Sequence, residues 1–200
     1  MTRNIIFATT NIGKASALKT LLVAHGIEVH QVEVDLVEPQ ADSVVEVAQN
    51  NVKQAMKLLG KPVVVEDSGF AIESLNGFPG VYIKYALATI GMEGLLRLAA
   101  PFPSRKCCFV SAMCYATPEG IQHTFVDSSA IGTLAATVDP TPARNSWSEL
   151  WRVFIPDGYD KTLSTFTADE QAALMQRWQV GSVYGQFARW LANETNANVV

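Results

Sequence analysis

Two hundred residues with 48% hydrophobic and 17% charged side chains suffice to bury a sizeable core in one domain, or in one domain of two lobes, and are not the composition of a disordered chain. The formal net charge of −4 supplies no basic field for polymeric DNA or RNA, so an anionic ligand has to be held by local groups. The run MTRNIIFATT carries too few consecutive apolar residues for a signal-peptide core or a membrane span, and a cytoplasmic protein without a membrane partner is expected.

In chain order, residues 4–8 form a β-like run, and Gly13 to Val23 carries apolar residues at helical spacing, with Leu18, Leu21 and Leu22 on one side. Residues 28–34 alternate as a strand, and Asp42 or Ser43 is placed to cap a helix through about Leu59, stopped by Lys61-Pro62. PVVVED reads as a buried parallel strand that ends in two carboxylates. Phe70 to Leu75 suggests a short strand before the turn NGFPG, and residues 81–99 are helical around Gly91. Residues 106–116 and 121–137 predict antiparallel strands about the turn Pro118-Glu119-Gly120. DPTPARNS is a loop, WRVFIP a strand, DGYDK a turn, and residues 167–192 one or two helices capped by Thr167. The expected fold class is α/β, a bent, mixed β-sheet with helices on both faces. Cys107, Cys108 and Cys114 lie in one strand-like run with no CxxC spacing and no adjacent His, and read as buried free thiols.

Two constellations carry chemistry. In FATTNIGK, two Thr, an Asn and a Gly lie between a strand and a helix, with Lys14 in the first helical turn. Such a junction offers backbone N–H groups, hydroxyls and a mobile positive charge to a phosphate. It lacks the GxxxxGK[ST] spacing, and a plain capped loop is the alternative. In VVVEDSG, Glu66 and Asp67 close a strand at the edge where open α/β sheets bind ligands, and adjacent hard oxygen donors suit Mg²⁺. The alternative there is a solvated strand-to-turn pair with Ser68-Gly69 in the turn. Glu38, in VEPQ, is a third carboxylate for the same metal or an ordinary surface acid. His25, His30 and His123 fall outside both constellations.

The order T-x-N-x-x-K, E-x-Q, EDSG followed by AIESLNGFPGVYIKYAL, and FIPDGYDKT, over roughly residues 4–177, resembles the inosine triphosphate pyrophosphatase family. The resemblance implies an elongated α/β fold of two lobes around a central cleft, usually a homodimer. It also implies Mg²⁺-dependent hydrolysis of nucleoside triphosphates to monophosphate and pyrophosphate. By position, Thr9, Thr10, Asn11, Lys14 and Ser68 would hold the phosphates, and Glu38, Glu66 and Asp67 would ligate Mg²⁺. Asp67 and Lys14 would carry the catalysis, and Lys84 also matches.

Two departures concern base recognition. The family's GFGYDP loop is replaced by NSWSELWRVF, and its K-N-x-x-S-H-R by Gln171-Ala172-Ala173-Leu174-Met175-Gln176-Arg177. Ala17 also stands where the family has glutamate. Trp147, Trp151 and Arg177 are the candidates left to meet a base, with core packing the alternative for the tryptophans and a solvated helix face for the arginine, and altered base specificity is expected. The alternative reading is a non-catalytic nucleotide-binding or regulatory protein on the same fold.

Overall fold

The computed structural model describes residues 3–143 and 148–197. Among them, seven strands form one mixed sheet in the order β2-β1-β3-β5-β6-β7, with β4 paired to β3, accompanied by six α-helices. Strand β1 (Arg3–Ala8), helix α1 (Ile12–Val23), strand β2 (Ile27–Val32) and helix α2 (Val44–Leu59) follow the sequence reading within a residue or two. Ser43 is the α2 cap, its hydroxyl accepting from Glu46 N at 3.2 Å. The helix ends at the expected Leu59, where Gly60 adopts φ 61° and donates its N–H to Met56 O. Residues 81–99 divide into α3 (Ile83–Thr89) and α4 (Gly91–Ala99), the second opening on Gly91 at φ 69°.

Two compact units share the chain, one comprising residues 1–67, 111–127 and 179–200, the other residues 68–110 and 128–178. In the first, β1 pairs in parallel with β2 on one side and with β3 (Val63–Ile72) on the other. Its core joins Ile5 and Phe7 of β1, Leu18 and Leu22 of α1, and Val64 to Val183 and Phe187 of α6 (Val183–Ala197). Each such side chain contributes about 1.5–3 kcal/mol of burial. The second unit has a separate aromatic core in which Phe70, Phe109 and Phe154 meet edge to face, with centroids 4.9–6.2 Å apart. Strands β5 (Lys106–Ala116) and β6 (Gln122–Leu134), and α5 (Ala168–Gly181), lie where alternation and the Thr167 cap place them. Thr167 and Glu170 close a capping box, with bonds of 3.3 Å and 2.8 Å. Cys107 and Cys114 are buried, but Cys108 is only half-buried.

Two expectations are corrected. WRVFIP is not one strand: Glu149–Arg152 form a 3-10 turn, and only Phe154–Pro156 pair, as β7, with β6. Nor does the PVVVED strand end at its carboxylates, since β3 runs unbroken through EDSG to Ile72. Phe70 and Ala71, expected in a separate strand, are instead the part of β3 that pairs with β4 (Pro79–Gly80). Gly69 permits that pairing, because a Cβ there would meet the Gly80 carbonyl oxygen at 2.5 Å. Gly69→Ala is therefore expected to cost about 1–3 kcal/mol in urea unfolding, the usual range for overpacking against a neighbour that cannot yield.

Candidate active site

At the carboxyl end of β1 the chain turns through Thr9 and Thr10 into α1, and its hydrogen bonds fix the turn. Thr9 N donates to Val32 O at 3.1 Å, and Gln31 Nε2 donates to Thr9 O at 3.0 Å. Asn11 N donates to Thr9 Oγ1 at 3.1 Å, and Lys14 N donates to Asn11 Oδ1 at 3.0 Å. Asn11 is thus the α1 cap. Gly13 leaves room for it, as a Cβ there would stand 3.2 Å from Asn11 Oδ1. The side chains of Thr9 and Asn11 are therefore partnered within the loop, where they shape the turn. Thr10 stays exposed at the helix entrance, where first-turn N–H groups and the helix dipole favour an anion.

From the first turn of α1, Lys14 reaches across to β3 and forms an ion pair with Glu66 Oε2. The lysine side chain is 23% exposed and the glutamate only 3%. The parallel register of β1 and β3, with Ile6 opposite Val63 and Phe7 opposite Val64, brings the loop after β1 level with Glu66. This is the point where the chain, having placed β2 on one side of β1, crosses to place β3 on the other, the position at which open α/β sheets receive ligands.

Glu38 lies on the exposed segment after β2. That segment is clamped to α2 by Gln54, which accepts from Val37 N at 3.1 Å and donates to Val37 O at 2.8 Å. Glu66 and Asp67 are successive residues of a continuous strand, a geometry that directs neighbours to opposite faces. Among the described residues, no three His, Cys, Asp or Glu side chains gather into a metal-holding group, so Glu38, Glu66 and Asp67 do not converge as three ligands in this conformation. Ser68 follows, half-buried, as the first residue of the second unit.

One neighbour of the ion pair escaped the sequence reading. Tyr184 of α6 packs on the core of the first unit. Burial pushes its phenol well above the ordinary range, and the negative charge of Glu66 pushes in the same direction. Tyr184 is therefore a neutral phenol within electrostatic reach of Glu66. Nothing marks it in sequence, where it is one aromatic residue on an amphipathic helix.

A family model for the Ham1 family matches residues 5–180. The chain belongs to the Ham1 family. It is 37% identical to a dITP/XTP pyrophosphatase of Methanopyrus kandleri, over 94% of this chain and 96% of that one. It is 33% identical to an inosine triphosphate pyrophosphatase of Yarrowia lipolytica, over 88% and 90% of the two chains. In structure it matches a nucleoside-triphosphatase (dITP/XTP pyrophosphatase) of Mycobacterium abscessus with a TM-score of 0.71 and 25% identity, over 87% of this chain and 94% of that one.

In this Ham1 family chain the residues assigned to a base behave differently from one another. Trp151 is 1% exposed and belongs to the core of the second unit, which leaves no face to stack on a base and corrects that expectation. Arg177 is exposed on α5, where Nη2 donates to the Tyr159 hydroxyl at 3.1 Å and the guanidinium lies 5.5 Å from that ring's centroid. Trp147 lies outside the described residues. Lys84 is exposed on α3.

The ion pair makes a measurable claim on stability. Removing one partner of a largely buried pair strands the other, so Lys14→Ala is expected to cost about 3 kcal/mol in denaturant unfolding. Lys14→Ala combined with Glu66→Gln should recover most of that loss, the amide needing no cation.

Proposed function

We propose that this chain hydrolyses nucleoside triphosphates to the monophosphate and pyrophosphate, with Mg²⁺ as cofactor and a base preference altered from inosine and xanthosine. The observation that carries the reading is the Lys14–Glu66 pair, which joins the first turn of α1 to β3 beside a capped helix entrance. Its relatives' activities, dITP/XTP and inosine triphosphate pyrophosphatase, support the same chemistry.

A triphosphate entering at Thr10 and the start of α1 competes with Glu66 for the Lys14 ammonium. Lys14 neutralises charge that grows on the phosphoryl oxygens as the bond to pyrophosphate breaks. Glu66, relieved of its lysine, is left as an anionic oxygen donor. Asp67 takes the proton from the water that attacks the α-phosphorus. Ser68 adds a hydroxyl for a phosphate oxygen.

The donor set fits Mg²⁺, which is commonly bound by one or two carboxylates together with substrate phosphates and needs no all-protein cage. One or two of Glu66, Asp67 and Glu38 would hold it together with the substrate's phosphates, and when bound it would supply Lewis-acid charge neutralisation there. A cytoplasmic homodimer is the expected setting. No described helix is long and apolar enough to cross a membrane.

The altered base preference is supported by NSWSELWRVF in place of the family's base loop, and by the burial of Trp151. A site without dedicated hydrogen-bond donors for a base oxygen discriminates weakly. In a panel of ITP, XTP, dITP and the ordinary ribo- and deoxynucleoside triphosphates with Mg²⁺, pyrophosphate release is expected from several substrates, with a preference for 6-keto purines below about a hundredfold. Asp67→Asn and Glu66→Gln should each lower kcat by about a hundredfold or more. Nucleotide binding without release from any member of the panel would instead favour the non-catalytic reading.

A further inference from the structure

Lys14 and Glu66 meet through side chains whose backbones are both fixed. The Lys14 N–H is bound to the Asn11 cap at 3.0 Å, and Glu66 sits inside β3, two residues beyond Val64 and its pairing with Phe7. Helix and strand hold still while the lysine's flexible four-carbon stem turns, so parting the two charges asks only for new side-chain torsions. Of the two, the lysine is the partner in contact with water, its side chain 23% exposed against 3% for the glutamate.

We infer that this contact is autoinhibitory: Lys14 keeps a divalent cation off Glu66 until a polyphosphate draws the ammonium away, so that metal loads with or after the phosphate chain and not before it. The gate rests on the reading of Glu66 as a metal donor.

Two effects act in the same direction. The ammonium occupies the carboxylate, and at contact distance it also repels a second cation. Mg²⁺ is a poor competitor for such a group, because it sheds its hydration water reluctantly and demands near-ideal octahedral geometry. A carboxylate this buried and already engaged does not offer that geometry. A phosphate at the start of α1 changes both effects. It binds first-turn N–H groups of the helix that carries Lys14, and its charge competes with Glu66 for the same ammonium. As Lys14 turns to the phosphate, Glu66 is uncovered beside the oxygens that complete a metal's ligand set. A site that is competent only while the pair is open loses apparent affinity in proportion to the open fraction, which for a pair this buried is expected to be below about one tenth.

Mn²⁺ is the probe, its free-ion electron paramagnetic resonance signal being lost on binding, in titrations of the full chain at about pH 8, above the usual carboxylate range. The unaltered chain alone is expected to bind it weakly. Lys14→Met, which keeps the apolar stem and drops the charge, should bind it about tenfold or more tightly without any nucleotide. Lys14→Met/Glu66→Gln should lose that gain, which ties it to the one carboxylate. A second measurement depends on no variant folding: in the unaltered chain, Mg²⁺ alone should leave the acetylation of Lys14, read by peptide mass spectrometry, unchanged. Equal Mn²⁺ affinity in the unaltered chain and Lys14→Met, or a rise in Lys14 acetylation with Mg²⁺ alone, would overturn the gate and leave pyrophosphate release unaffected. Tighter Mn²⁺ binding by Lys14→Met, together with no release from any triphosphate by the unaltered chain, would support the gate and count against hydrolysis alone.

Discussion

A carboxylate as deeply placed as Glu66 needs a cation. An ionised oxygen taken out of water costs several kcal/mol unless an opposite charge or donors replace the lost solvation. Lys14 meets that need from a different element, and much of the first unit serves to bring it there. Asn11 must cap α1 so that the first turn begins at the right residue, and Gly13 must lack a Cβ so that the cap fits. Thr9 is held at its N–H, its carbonyl and its hydroxyl. The same ammonium that stabilises the fold is the charge a triphosphate seeks, so substrate entry and the exposure of Glu66 as a donor are two sides of one exchange.

The parallel arrangement makes that exchange possible. Three parallel strands with β1 in the middle put the turns after β1 and β2 and the carboxylates of β3 at one edge of the sheet. Gln31 and Gln54 then tie down the two segments that would otherwise be free, one by holding the carbonyl of Thr9 and the other by bonding both backbone groups of Val37. A glutamine amide suits this task because it carries a donor and an acceptor at one tip and can satisfy an N–H and a C=O of the same residue.

The chain's order of strands and helices was legible because its signals are local: alternation, apolar periodicity, Ser43 and Thr167 as caps. FATTNIGK was legible as a strand-to-helix junction, although the division of labour within it was not. Thr9 and Asn11 have the chemistry of phosphate ligands, yet that same chemistry closes their own turn. EDSG was misread as a strand end because Ser-Gly commonly marks a turn, whereas Gly69 is small here to let β4 approach within a sheet. Trp151 illustrates the other limit, since a tryptophan near a loop suits a stacking surface and a core equally, and only tertiary packing separates them. Tyr184 was invisible because its meaning comes from Glu66, more than a hundred residues away along the chain.

Two separate cores also make sense of which parts of the chain depart from the family pattern. Lys14, Glu38, Glu66 and Asp67 belong to the first unit, whereas NSWSELWRVF and Arg177 belong to the second. The core beneath Lys14 and Glu66 draws on β1, α1, β3 and α6, while Trp151 packs with Phe154, Leu150 and Leu163 in the other. Substitutions that share no partners act nearly independently on stability. A loop in the second unit can therefore change its side chains, burying Trp151 in that core, without disturbing the helix cap and strand register that hold the ammonium on its carboxylate. The ion pair cannot be altered so freely, because each partner is the other's replacement for water.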